Sequence, residues 1–143
     1  MVLRRETLQA RLLKLEGIVS FLRELAAADR SALKNSLRDM WAAERALQLG
    51  AEAIFDVGNH ILSAFYGTSA SDYRDIMTQL ALRGVVSAEL RDRLEGLGGF
   101  RNILVHDYLE LDPERVLDNA MRAPQDFGAY IDEIRSWLDS QPH

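Results

Sequence analysis

Helical spacing of the apolar residues constrains this chain more than any other feature. Leu8, Leu12, Leu15, Val19, Leu22 and Ala26 step by alternating fours and threes, which lays one apolar stripe along a long first helix. Met40, Leu47, Ile54 and Ile61, with Ala43, Val57 and Phe65 beside them, repeat the pattern in a second helix expected from Leu37 to Tyr66. Asp29-Arg30-Ser31 separates the two as a break with a fresh N-cap, and Gly67-Thr68-Ser69 ends the second. Val and Ile never alternate with polar residues long enough to predict a strand.

The later punctuation predicts shorter helices. Ser71 is expected to cap a third carrying Ile76 and Leu80, stopped by Gly84. Ser87, with Glu89 behind it, opens a fourth with Leu90, Leu94 and Leu97 inward. Gly98-Gly99 is expected to kink or interrupt that helix, because two adjacent glycines cost about 2 kcal/mol relative to alanine. Asp112-Pro113 starts the last helix, which carries Val116, Ala120, Phe127, Ile131, Ile134 and Leu138. Pro124 inside it predicts a kink or two shorter pieces. The expected fold is all-α: an up-and-down bundle of about five helices forming one domain over residues 1–143.

Composition narrows the function classes. The length of 143 residues suits a single domain with a real core. The absence of cysteine removes disulfides, thiolate nucleophiles and Cys-based metal centres together. Three dispersed histidines and scattered carboxylates lack metal-ligand spacing, so neither a metal nor a cofactor is expected. A net charge of -5 would repel nucleic acid in bulk, so any RNA or nucleotide site must be a local cluster. The opening MVLRRETLQARL has no apolar core of a signal peptide, and no stretch approaches the ~20 apolar residues of a membrane span. A cytoplasmic protein with no membrane contact is expected.

Two segments carry candidate chemistry. On the second helix Glu44, Gln48, Glu52, Asp56 and Asn59 share the side opposite the apolar stripe with Arg45 and His60. The plain reading is a solvated face. Trp41, Phe55 and Leu62 at its edge point instead to a second, partly buried surface, such as a partner helix or dimer interface. His60 is a possible second titrating group, although a helix histidine is more often structural.

The other segment is Phe100-Arg101-Asn102-Ile103-Leu104-Val105-His106-Asp107-Tyr108. On one helix Asn102 and His106 face the same way, offset by about 40°, and the Arg101 side chain can swing toward them. Tyr108 is expected one heptad from Arg101, on the side nearer the core. Arginine is the fork-shaped, permanently charged binder of phosphate oxygens. Histidine, with a pKa near ~6.5, gives or takes a proton at neutral pH. RNA brings its own nucleophile, the 2′-hydroxyl, so such a pair could cleave it without metal and leave a 2′,3′-cyclic phosphate. Arg101 would stabilise charge on the phosphorane, and Asn102 would orient the imidazole or the phosphate. One histidine cannot easily be both base and acid, which makes a symmetric dimer attractive. Tyr108 alone reads as an ordinary core aromatic.

Arg101-Asn102, three residues, then His106-Asp107-Tyr108 resembles the R-x4-H-x-Y signature of the HEPN superfamily, specifically its HepT toxin branch. Glu44-Arg45-Ala46-Leu47, Asp56-Val57-Gly58-Asn59-His60-Ile61, Gly99-Phe100-Arg101-Asn102 and Asp112-Pro113-Glu114-Arg115-Val116 resemble the family pattern in the same order. The resemblance implies a metal-independent endoribonuclease toxin that forms a homodimer or a higher even oligomer. Arg101 and His106 are then catalytic, Asn102 supports them, and two motifs face each other across a cleft at the dimer interface. It also implies a partner, the minimal nucleotidyltransferase antitoxin MntA, which silences the toxin by transferring AMP from ATP to the tyrosine matched by Tyr108. Glu52 and Asp56 become candidates for steering the cleft or the antitoxin. Pro124 departs from the family pattern and bears on the last helix more than on the motif. A competing reading is a non-catalytic nucleotide- or substrate-binding subunit of a minimal nucleotidyltransferase. A third is a purely structural helical adaptor.

Overall fold

The computed structural model describes residues 4–142, with Tyr108 described at its backbone only. Helix α1 (Arg5–Ala27) buries Leu8, Leu12, Leu15, Val19 and Leu22, and its last inward place goes to Leu25. Ala26 stays half-buried, because a step of three from Leu22 keeps the stripe on the inner face. Asp29 caps α2 (Arg30–Lys34) by accepting from the Ala32 N–H at 2.9 Å. Ser36 caps α3 (Leu37–Tyr66), whose ends fall where the sequence placed them. Gly67 closes α3 at φ +63°, a left-handed conformation that a side chain would strain.

Four short pieces and one long helix complete the chain. Helix α4 (Tyr73–Leu82) is capped by Asp72 rather than Ser71. Asp72 accepts from the Asp75 N–H at 2.8 Å, while the Ser71 N–H and hydroxyl both donate to the Asp75 carboxylate. Helices α5 (Ala88–Arg93) and α6 (Leu97–His106) follow, then a 3-10 turn (Tyr108–Glu110) and α7 (Pro113–Ser140). The described residues thus form seven α-helices rather than about five, and no strand. The long helices α1, α3 and α7 pack on one another, and α4 and α6 lie against α3.

Three expectations are corrected. The chain breaks at residues 94–96, before the glycine pair, and both glycines sit in the first turn of α6. Gly98 is needed there because a Cβ would meet the Tyr73 Cβ at 2.8 Å. Helix α7 runs through Pro124 as one helix rather than as two shorter pieces, with Ala120, Ala123 and Pro124 all buried. The missing N–H removes one backbone bond, and apolar packing on both sides of Pro124, from Val116 to Leu138, holds the helix together. Phe65 lies 41% exposed, whereas Phe55 and Leu62 are buried by the chain itself; of the aromatics and leucines on the polar arc only Trp41 stays open, at 61%.

Polar contacts lock the bundle. The buried Tyr130 hydroxyl donates to the Ile54 carbonyl at 2.8 Å, joining α7 to α3, and burial raises its pKa. Arg5 donates to the Leu138, Gln141 and Pro142 carbonyls, tying the start of α1 to the end of α7. Arg30 and Lys34 hold α2 on Glu114, whose carboxyl they pull down to about 2. The closest approach is at Gly50, where a Cβ would lie 2.5 Å from the Phe127 ring. Gly50→Ala gains about 1 kcal/mol of helix propensity but overpacks a ring fixed in the core, which costs typically 1–3 kcal/mol or more. The expected net result is a lower melting temperature by thermal unfolding; an unchanged or higher one would show that Phe127 gives way.

Candidate active site

Helix α6 positions the motif. Its apolar side, Leu97, Phe100 and Leu104, is buried, which fixes the rotation of the helix and decides where the polar residues point. Arg101 is turned toward α3, four-fifths covered, and its Nη2 donates to Glu52 Oε1 at 3.1 Å. Gln48 Nε2 donates to the same oxygen at 3.1 Å, so Glu52 is held from its own helix as well. The Arg101 guanidinium carbon lies 5.7 Å from the centre of the Tyr73 ring, within cation–π range. Tyr73 is itself stacked on Phe55, with centroids 4.3 Å apart and planes 16° from parallel. Arg101 Nη1 faces Asn102 Oδ1 at 3.4 Å. The Arg101 Nε is buried and has no hydrogen-bond partner among the described residues.

His106 occupies a different setting. It is exposed in the last turn of α6, and its imidazole makes no hydrogen bond or ion pair among the described residues. Five residues of α-helix separate its direction from that of Arg101 by about 140°. One protomer therefore keeps the guanidinium and the imidazole on different sides of α6. Asn102 is exposed and opens onto a cavity of about 430 Å³ with Phe55, Asp56, Asn59 and Tyr73. Asp56 thus shares a cavity with Asn102, and Glu52 holds Arg101.

Tyr108 does not follow the helix. Helix α6 ends at His106, Asp107 leaves helical geometry at φ -124°, ψ 35°, and Tyr108 opens the 3-10 turn. The heptad relation to Arg101 is lost for that reason, and the direction of the Tyr108 side chain lies outside the described residues. His60 belongs to another part of the molecule. Its Nε2 accepts from the Arg4 N–H at 3.4 Å. Burial, then the charges of Arg11 and Arg4, pull its pKa down, which favours the neutral ring that this acceptor contact needs. Sequence reasoning could not pair Tyr73 with Arg101, because the two residues sit on different helices and no local spacing links them.

A helical bundle with R-x4-H-x-Y at the end of one helix defines the class, a HEPN-type domain. A family model described as ribonuclease HepT-like matches residues 15–134. The chain is 29% identical over 128 residues to the tRNA nuclease HepT of Aphanizomenon flos-aquae, covering 87% of each. It is 36% identical over 90 residues to the mRNA nuclease HepT of Shewanella oneidensis, covering 63% of this chain and 68% of that one. The solved structure of the tri-AMPylated Shewanella oneidensis HEPN toxin in complex with MNT antitoxin superposes with a TM-score of 0.83 at 26% identity, over 93% of this chain and 99% of that one. The chain belongs to the HepT-like ribonuclease family of the HEPN superfamily.

Proposed function

We propose that this protein is the endoribonuclease toxin of a toxin–antitoxin pair, cutting RNA without metal at a site shared by two protomers. The observation that carries this reading is the division within α6: Arg101 held inward on Glu52 and Tyr73, His106 free at the exposed end. Two copies of α6 facing each other would bring an Arg101 and a His106 from different chains to one phosphate, together with a second histidine.

One His106 imidazole takes the proton of the 2′-hydroxyl, whose oxygen attacks the adjacent phosphorus. The bond to the 5′-oxygen breaks, and that oxygen takes a proton from the partner's His106 in its imidazolium form. The products are a 2′,3′-cyclic phosphate and a 5′-hydroxyl. Arg101 binds the phosphate and stabilises the extra negative charge of the phosphorane. Its unpartnered buried Nε costs the resting state about 1–3 kcal/mol, which lowers the cost of swinging the guanidinium onto phosphate. Asn102, beside both Arg101 and the cavity, orients the phosphate. The partner is an MntA-type nucleotidyltransferase, which silences the toxin by adding AMP to Tyr108. The setting is cytoplasmic; no helix among the described residues is long and apolar enough to cross a membrane.

Subunit mixing tests the shared site. His106→Ala protein exchanged in excess into wild type is expected to abolish cleavage, because each mixed dimer keeps only one of the two histidines that the reaction uses. Verified exchange that leaves cleavage in proportion to the wild-type protomers would contradict the shared site. A nucleotide-binding subunit without nuclease activity would show tight ATP or AMP binding and no cleavage by wild type at all.

A further inference from the structure

A second cavity, of about 510 Å³, lies along α5, α6 and α7 and has no part in the site described above. Its carboxylates are already neutralised. Glu95 pairs with Arg74 at 3.6 Å, Asp126 with Arg93 at 3.2 Å, and Asp92 with Arg91 at 2.8 Å. Two further arginines line it and make no ion pair among the described residues. The Arg115 guanidinium carbon lies 5.2 Å from the centre of the Phe100 ring, and Arg122 donates from its side chain to the Asn119 amide oxygen at 3.2 Å. Arg122 also acts on the nearby Asp126 carboxylate, which burial pushes up and the charges of Arg93 and Arg122 pull back; in a chain of net charge -5, two guanidiniums in one cleft without a direct ion pair among the described residues still make a local positive field.

The placement of the pair points to its ligand. Arg115 and Arg122 are seven apart on α7, so they share one face within about 20° and lie about 10 Å apart along the axis. That is a line of charge rather than a point, and it fits a polyanion better than a single small anion. One end of the line reaches the motif: Phe100 precedes Arg101, and Arg115 also borders a smaller cavity beside Ile103 and Asp107, at the end of α6 that carries His106. That smaller cavity is lined by Asp107, Glu110 and Asp112, which repel a phosphate chain. A strand leaving the motif is therefore drawn past Arg115 toward Arg122.

We propose that Arg115 and Arg122 form a phosphate-binding track that holds the RNA strand beyond the scissile bond, without reading its sequence. This rests on the RNA-cleaving reading above. The guanidinium fork binds phosphodiester oxygens with two parallel hydrogen bonds, and such contacts fix register without specifying bases.

The experiment is RNA binding against salt concentration, done with His106→Ala protein so that the strand survives. With a single-stranded RNA of roughly twenty nucleotides, removing both arginines should weaken low-salt binding about tenfold or more and lower the log–log salt slope by about 1.4. Arg115→Lys with Arg122→Lys keeps both charges and should retain most of the slope, which separates lost phosphate contacts from a damaged fold. Arg38→Ala, on an exposed arginine outside both cavities, should leave binding as it was. An unchanged slope in the double alanine protein overturns the track, as does a loss that appears only in capture of the antitoxin. Failure of wild type to cleave RNA while these slopes still fall would count against the nuclease reading and leave the track standing.

Discussion

Replacing His106 with alanine should abolish growth arrest in cells and lower RNA cleavage by about 10²–10⁴-fold, the usual contribution of a positioned general acid–base. The fold should survive. The His106 imidazole is exposed and free of hydrogen bonds and ion pairs among the described residues, so its removal leaves no cavity and no stranded polar group. Among the described residues the structural loss is a favourable interaction with the C-terminal end of α6, small for an exposed side chain. A His106→Ala protein that melts like wild type, keeps the wild-type oligomeric state and does not arrest growth is the predicted outcome. Retained toxicity at equal expression would remove His106 from the chemistry.

Incubation with ATP and the antitoxin should add AMP to the wild-type protein, and Tyr108→Phe should gain none. The phenol oxygen attacks the α-phosphorus of ATP, pyrophosphate leaves, and the phenolic proton is lost; phenylalanine has no oxygen with which to begin. The backbone supports this assignment, because Tyr108 stands in a 3-10 turn just beyond the exposed His106, and its neighbour Leu109 is 86% exposed. An anionic group added there would place negative charge beside the same motif that must receive a phosphodiester. Intact mass reads the result directly. AMP increments on Tyr108→Phe would move the modification elsewhere, and the silencing argument would move with it.

What could be read from the sequence was local. The end of α3 at Tyr66 was legible because Gly67 is a cap with its own geometry, and its start followed from the onset of the apolar stripe. The apolar stripes predicted on α1, α3 and α7 fall on buried positions, Ala26 and Phe65 apart, for the same reason: a period of 3.6 needs no knowledge of the rest of the fold. What failed depended on contacts between distant residues. Gly98 looked like a helix breaker but is tolerated inside α6 because Tyr73 leaves no room for a side chain. Phe55 looked like half of an interface but is covered by Tyr73 of the same chain. Pro124 left open a split of the last helix into two pieces, which packing on both sides of it along α7 prevents.

The site divides in the same way. Arg101, Asn102, His106 and Tyr108 are legible as a cluster because they lie within eight residues. The resting contacts of Arg101 are not, since Glu52 and Tyr73 are 49 and 28 positions away. Glu52 could be singled out as an acid on the polar arc, but its role as the holder of Arg101 needs the packing of α6 on α3. The end of α6 at His106 separates Tyr108 from the helical register, and the sequence Val105-His106-Asp107 carries no glycine or proline to announce it.

The central claim is that Arg101 and His106 cut RNA through its own 2′-hydroxyl, with no metal. The most direct measurement is cleavage of RNA by the purified protein in EDTA, beside His106→Ala, with the ends of the products and the intact mass of each protein determined on the same samples. The account predicts 2′,3′-cyclic phosphate and 5′-hydroxyl ends that vanish in the variant. Cleavage that EDTA abolishes, or no cleavage by protein of unmodified mass across several RNAs, would contradict it.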